Sequence, residues 1–305
     1  MTDQALEIEL VVDDELQPLE RAVTVVIPAY NEAAHVAGQV ESVDAVMRTS
    51  GWEYEIIVVD DGSTDGTAEA AQAAGLSRIV RRQHNRGYGA ALKLGVRLAA
   101  HEWILITDAD GTYPVEAIPT LLAEAEANSM VVGSRTGQVV QVPLARRPAK
   151  WFLNRLSSYL AGRRLPDINS GLRLMRKSLI TRYEHLLPDG FSFTTTITLS
   201  AAVNQHPLAY VPIDYHARLG ESKIRPRHAY DFTMLILRTI IFFNPLKVFL
   251  PLGTAMAVAA LVKLAYDITK DNLSETAVLG ILGALIVWAV GLLADQNARI
   301  ATRRK

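Results

Sequence analysis

Asp108 and Asp110 stand two residues apart, directly after the apolar run Trp103–Thr107. In an extended segment, side chains at i and i+2 point to the same side. Two carboxylates placed so repel each other unless a cation lies between them. An all-oxygen donor set suits Mg²⁺ or Mn²⁺, ions that also bind substrate phosphates. In isolation the pair reads equally well as a turn with two solvated carboxylates before Gly111. Two other strand ends change that balance. Val23–Ile27 runs into Pro28-Ala29-Tyr30-Asn31-Glu32, and Ile56–Val59 into Asp60-Asp61-Gly62-Ser63. Ligands of open α/β sheets bind beyond the carboxyl ends of the strands. Parallel strands would therefore bring all three clusters to one crevice.

In that crevice one of Asp60 and Asp61 could accept hydrogen bonds from a nucleoside base or ribose. Ser63 or Thr64 reads as the cap of the next helix, and Asp65 as a capping residue. His84-Asn85-Arg86-Gly87-Tyr88-Gly89 precedes another helix, where Gly-x-Gly allows close backbone approach to a ligand. Counter-charges come from a block that runs from Arg135 to Arg182 with eleven basic residues and one acidic one, Asp167. Substrates that carry phosphate groups bring several negative charges. Arg135, Arg146, Arg147, Arg173, Arg218 and Lys223 are the candidates to hold them, because guanidinium matches phosphate geometry. Asp167 is placed to orient an arginine or an acceptor.

The elements that must position these groups alternate. Short β-rich runs at Val23–Ile27, Ile56–Val59, Arg78–Arg82, Trp103–Thr107, Met130–Gly133 and Tyr210–Ile213 are separated by helical stretches at about 32–49, 64–75, 88–100 and 114–128. Alternation of this kind predicts an α/β fold with a mainly parallel sheet. Within the basic block, Trp151, Phe152, Leu156, Tyr159 and Leu160 recur at helical spacing, flanked by Lys150, Arg155, Arg163 and Arg164. A basic amphipathic helix suits an anionic membrane surface. His228–Phe243, ended by Asn244-Pro245, is a second candidate.

Thr276–Ala294 is a stretch of 19 residues without a charge. As a helix it spans roughly 28 Å, about the hydrocarbon thickness of a bilayer. A second apolar run, Val248–Val262, extends to Tyr266, with Lys263 able to snorkel to the interface. The polar turn Asp267–Glu275 joins them, which predicts a transmembrane hairpin. Arg225, Arg227, Arg238 and Lys247 precede it, and Arg299, Arg303, Arg304 and Lys305 follow. The positive-inside rule then places both termini, and the catalytic domain, in the cytoplasm.

Composition closes other routes. The chain has 305 residues and a net charge of −1, which argues against nucleic acid as a partner. There is no cysteine, so a disulfide framework and a thiolate metal site are both excluded. Residues 1–20 hold seven acidic side chains and no basic one, the reverse of a signal peptide's start.

Taken together these residues resemble the family 2 glycosyltransferases, through Ile27-Pro28-Ala29-Tyr30-Asn31-Glu32, Val58-Val59-Asp60-Asp61-Gly62-Ser63 and Asp108-Ala109-Asp110-Gly111. Val132-Gly133-Ser134-Arg135, Asn169-Ser170-Gly171-Leu172-Arg173, and Arg218 before Gly220-Glu221-Ser222-Lys223 are similar to the dolichol-phosphate mannose synthase-like branch, which glycosylates polyprenyl phosphates. The resemblance covers about residues 22–240. It implies a GT-A fold and an inverting transfer of a hexose from a UDP- or GDP-linked donor to undecaprenyl or dolichyl phosphate. By motif, Pro28, Tyr30, Glu32, Asp60, Asp61 and Ala109 line the nucleotide-sugar pocket. Asp108 helps hold the donor, Asp110 holds the metal, and Arg135 and Arg218 approach the phosphates. Many members carry Asp-Leu-Gln after the first Asp-Ala, with the Gln in the metal shell; here Thr112 takes that place. The two C-terminal helices resemble bacterial polyprenyl-phosphate glucosyltransferases.

The expected organisation is an acidic arm over 1–21, a GT-A domain over 22–227, an interfacial helix over 228–244, a hairpin over 245–297 and a basic tail over 298–305. A processive polysaccharide synthase would share the early motifs, but its Gln-x-x-Arg-Trp segment and further membrane helices are missing. A non-catalytic nucleotide-sugar binding membrane protein is the other alternative. Homo-oligomerisation is left open.

Overall fold

The structure is a computed structural model that describes residues 21–137, 147–190, 192–215, 234, 237, 241–242, 244–270 and 274–303. The expected acidic arm, Arg146, Arg218, Lys223 and most of the second interfacial helix lie outside the described residues. So does the side chain of Arg147.

Seven strands form one sheet: β1 (Ala22–Ala29), β2 (Glu53–Asp60), β3 (Arg78–Arg81), β4 (Trp103–Ile106), β5 (Met130–Ser134), β6 (Arg173–Arg176) and β7 (Leu208–Pro212). Their order across the sheet is β3-β2-β1-β4-β6-β5-β7. β1 pairs in parallel with β2 and β4, β2 with β3, and β5 with β7, whereas β6 is antiparallel to both β4 and β5. Every strand except β6 therefore points the same way. The carboxyl ends of β1, β2, β4, β5 and β7 share one edge with the residues that lead into β6. The expected mainly parallel α/β sheet is what forms.

Runs of apolar residues with no alternation make β1, β2 and β4 strands that are buried on both faces. Val23, Val25, Ile27, Val58 and Leu105 belong to one core cluster, and Val26, Ile57, Val59, Ile104 and Ile106 to the other. Helix α1 (Val36–Met47) covers the first face and α3 (Tyr88–Leu98) the second. α3 lies so close that a Cβ at Gly95 would run into Val26 and Val59.

α3 starts at Tyr88 as the periodicity suggests, but the two helices before it start later. α1 begins at Val36 because the chain first turns through Asn31, whose φ is +53°. α2 (Thr67–Ala73) begins after Gly66 at φ +87°, and neither Ser63 nor Thr64 caps it. Asp65 serves that end instead: its Oδ1 accepts from the Thr67 N–H at 3.1 Å and its Oδ2 from the Ala33 N–H at 3.1 Å. The helix expected over 114–128 is a 3₁₀ turn, Val115–Ala117, followed by the short α4 (Ile118–Ala123).

α5 (Arg147–Ala161) leaves Trp151 at 68% and Tyr159 at 61% exposure, with exposed Arg155 between them at the same i, i+4 spacing. Leu156, on another face, packs toward the buried cluster Leu165, Ile168, Leu199 and Ala202. Two later helices, Leu246–Ile268 and Glu275–Arg303, are both long and apolar enough to cross a membrane. They pack as a hairpin through small residues. Gly253 faces Trp288, Gly280 faces Ala260, and Gly291 faces Phe249, each with no room for a Cβ. At the turn, buried Asp267 pairs with Lys263 and accepts from Ser274, whose N–H lies 3.2 Å away. Val248, at the other end of the hairpin, packs against the Leu165 and Ile168 cluster.

Candidate active site

The loop after β1 is laced to the loop after β2. The Asn31 N–H donates to Ser63 Oγ at 2.9 Å, Glu32 N–H to Thr67 Oγ1 at 2.9 Å, and Thr64 N–H to Asn31 Oδ1 at 3.0 Å. These bonds hold Pro28, Tyr30 and Glu32 beside Asp60, the last residue of β2. Asp60 is fully buried and its Oδ1 accepts from the Ser63 N–H at 2.9 Å. Its Oδ2 accepts no hydrogen bond, and Arg81 Nε lies 3.5 Å from it. A buried carboxylate oxygen in this state is costly unless a ligand completes it.

Asp61 has a structural task. Its carboxylate accepts from the Arg86 N–H at 3.1 Å, from the Gly87 N–H at 2.7 Å and from Arg82 Nη1 at 3.1 Å. Asp61 was expected to line the donor pocket; both of its oxygens also organise the His84–Gly87 loop. The Gly-x-Gly expectation changes. A Cβ at Gly87 would lie 2.5 Å from the Asp189 carbonyl, and one at Gly89 would strike the Pro188 carbonyl. The two glycines admit the chain's own backbone, and the Ala90 N–H donates to Asp189 O at 3.0 Å.

Beyond β4, Asp108 and Asp110 are half-buried and Ala109 between them is buried. Tyr88 Oη donates to Asp108 Oδ1 at 2.9 Å. Burial, and then the neighbouring Asp108, push the Tyr88 phenol well above its usual pKa, so it stays a donor. Gly171 faces the same carboxylate: a Cβ there would sit 2.9 Å from Asp108 Oδ2 and 3.0 Å from the Tyr113 ring. The Gly171 N–H donates to Tyr113 Oη at 2.7 Å. Asp110 is oriented by Thr112, whose hydroxyl donates to Oδ1 at 2.7 Å and whose N–H lies at 3.2 Å. Among the described residues no three His, Asp or Glu side chains gather as a metal cage. The oxygen donors of Asp108 and Asp110 fit a hard divalent ion only where water and substrate oxygens complete the shell, which is how Mg²⁺ commonly binds.

Arg135 follows β5. Its Nε and Nη2 clasp Asp167 at 2.7 and 2.8 Å, and its own N–H adds a third bond at 3.1 Å. Asp167 thus orients this arginine. Burial opposes the Arg135 charge, but Tyr113, Asp167 and Tyr215 beside it prevail, and its pKa stands above the ordinary arginine value. Tyr215, just past β7, lies with its ring 5.3 Å from Arg135 Cζ and 5.3 Å from the Tyr113 ring.

Arg173 does not face a phosphate. It is fully buried, donating to Ser170 O at 2.9 Å, Thr194 O at 3.1 Å and Thr198 Oγ1 at 3.0 Å. Burial lowers its pKa. Its phosphate-binding expectation is corrected to an internal strut between the start of β6 and α7 (Phe193–Val203). Tyr88, Tyr113 and Tyr215 had no role assigned from sequence. The position of Tyr88 at the start of α3 and of Tyr215 three residues past β7, both at the carboxyl edge of the sheet, was the available signal.

A GT-A sheet with a carboxylate pair at the end of its fourth strand agrees with sequence comparison: residues 24–183 match glycosyl transferase family 2. The chain belongs to that family. Residues 244–300 match the GtrB C-terminal hairpin, the element seen here as the two apolar helices. Among solved structures, the chain is similar to glucosyl-3-phosphoglycerate synthase from Mycobacterium tuberculosis in complex with Mn²⁺, UDP and phosphoglyceric acid. The identity is 21%, covering 72% of this chain and 78% of that one, with a TM-score of 0.58. The same enzyme with Mn²⁺, UDP-glucose and phosphoglyceric acid gives 22% identity, 72% and 80% coverage, and a TM-score of 0.57. At these identities the likeness is one of fold.

Proposed function

We propose that this glycosyltransferase moves a hexose from a nucleotide-sugar to a polyprenyl phosphate, with inversion, at the cytoplasmic face of a membrane that its hairpin spans. The observation that carries the acceptor is the seat of the hairpin. Val248 packs on the cluster containing Leu165 and Ile168, which flank Asp167, the partner of Arg135. The arginine is thereby tied to the place where the chain would enter the bilayer. The Trp151, Arg155 and Tyr159 stripe on α5 supports the same reading, since Trp and Tyr favour the interface and Arg can snorkel.

Asp60, with its uncompleted Oδ2, binds the donor's base, with Pro28, Tyr30 and Glu32 around it. Asp108, fixed by Tyr88, holds the sugar-diphosphate. Asp110 would hold Mg²⁺ or Mn²⁺; the similar synthase was solved with Mn²⁺ and UDP. Such an ion would supply positive charge to offset that gathering on the departing diphosphate. The acceptor phosphate has a second pKa of about 6, so it arrives ionised at pH 7 and needs no strong base. Arg135 and Arg218 neutralise it as it approaches. Its oxygen bonds to the anomeric carbon, and the bond from that carbon to the nucleoside diphosphate breaks.

The full chain in detergent, given labelled UDP-glucose, GDP-mannose or UDP-N-acetylglucosamine with undecaprenyl phosphate and Mn²⁺, should yield label in the organic phase with one of them. Transfer to phosphoglycerate but not to the lipid would replace the acceptor assignment. Thr112→Val, which removes the hydroxyl bond to Asp110 and leaves the N–H bond, should weaken Mn²⁺ binding in the presence of UDP by roughly tenfold. Calorimetry reads this directly, and an unchanged affinity would detach Thr112 from the metal site.

A further inference from the structure

The Arg135 guanidinium is held on one edge only. Asp167 takes Nε and Nη2, and among the described residues Nη1 has no hydrogen-bond partner. A clasp along one edge fixes the plane of the guanidinium poorly against rocking about that edge. The structure supplies a second constraint. The Ile213 N–H donates to Ser134 O at 2.8 Å and the Gly137 N–H to Ile213 O at 3.0 Å, so the chain beyond β7 runs along the residues beyond β5. This pairing delivers Tyr215 to Arg135. The phenol ring lies under the guanidinium, and Tyr113 braces it edge-on at 63°. Tyr113 is in turn pinned by the Gly171 N–H, beside Asp108.

We propose that Tyr215 is a positioning residue: its ring face, clamped by Tyr113, turns the free Nη1 edge of Arg135 toward the site and so sets affinity for the acceptor's phosphate. The inference rests on Arg135 as the acceptor-phosphate group. What matters in Tyr215 is the ring, since cation–π attraction needs only the aromatic face.

The test compares Tyr215→Leu with Tyr215→Phe in the full chain. Tyr215→Leu should raise the KM for undecaprenyl phosphate roughly tenfold. The donor KM and kcat should stay within about twofold, and Tyr215→Phe should match wild type within about twofold. An unchanged donor KM also shows that the variant is folded. A loss shared equally by Phe and Leu, or an effect on kcat and both substrates alike, would overturn the proposal. Calorimetric titration with inorganic phosphate runs in parallel. If wild type transfers to no lipid phosphate, the functional reading fails, yet phosphate binding still weakens in Tyr215→Leu and not in Tyr215→Phe if the proposal holds. Equal phosphate binding in all three proteins would overturn it.

Discussion

Asp110→Ala should lower kcat/KM by roughly 10³-fold, equivalent to about 4 kcal/mol of transition-state stabilisation. The carboxylate is half-buried and accepts from Thr112. On the proposed mechanism its removal deprives the departing diphosphate of the divalent ion. Asp110→Asn should fall almost as far, because the amide can still accept from Thr112 but lacks the charge that holds the ion. Transfer of labelled sugar measures the loss. Mn²⁺ titration in the presence of UDP separates a metal defect from a folding defect. Full activity in Asp110→Ala would remove this residue from the mechanism.

Asp167→Ala should be the most damaging change for stability. It leaves the Arg135 guanidinium, only 18% exposed, without its two-pronged partner. Breaking a buried pair from one side costs about 3–5 kcal/mol. For a domain of this size that is about 10 °C in Tm. Transfer should fall by roughly 10²-fold as well, since a misaligned phosphate group loses most of its orientation. Arg135→Ala should match the loss of activity but unfold the protein less, because Asp167 keeps the Asn169 N–H at 3.0 Å. The double variant should then be no worse than Asp167→Ala alone. Additive losses in both thermal unfolding and kinetics would show that the two residues act separately.

Much of the sheet and the gathering of its strand-end carboxylates was legible in sequence because strand burial and strand-end chemistry are local. Val23–Ile27, Ile56–Val59 and Trp103–Thr107 are apolar without alternation, and each ends in polar residues. The division of labour between Asp60 and Asp61 was not legible. It depends on which carboxylate meets the Arg86 and Gly87 amides, some 25 residues downstream. β6 was hidden by Arg173 and Arg176, charges at the two ends of a four-residue strand, and the partners of Arg173, Thr194 and Thr198, lie on another element. The run Thr194-Thr195-Thr196-Ile197-Thr198 has a β-branched composition that favours a strand, yet it forms the buried helix α7, where packing outweighs propensity. The aromatic bracket of Tyr113 and Tyr215 joins residues a hundred positions apart and leaves no local trace.

The reversed strand β6 also acts as a gauge. It separates β4 from β5, so Asp108 and Asp110 on one side and Arg135 on the other stand at the ends of strands two spacings apart, about 10 Å. That interval is set by main-chain hydrogen bonds, not by side chains. Substitution can alter what each bank of the cleft grips, but it cannot move the banks. A relative that must span a larger gap between its two substrates would need a different strand order between the two banks, not different side chains.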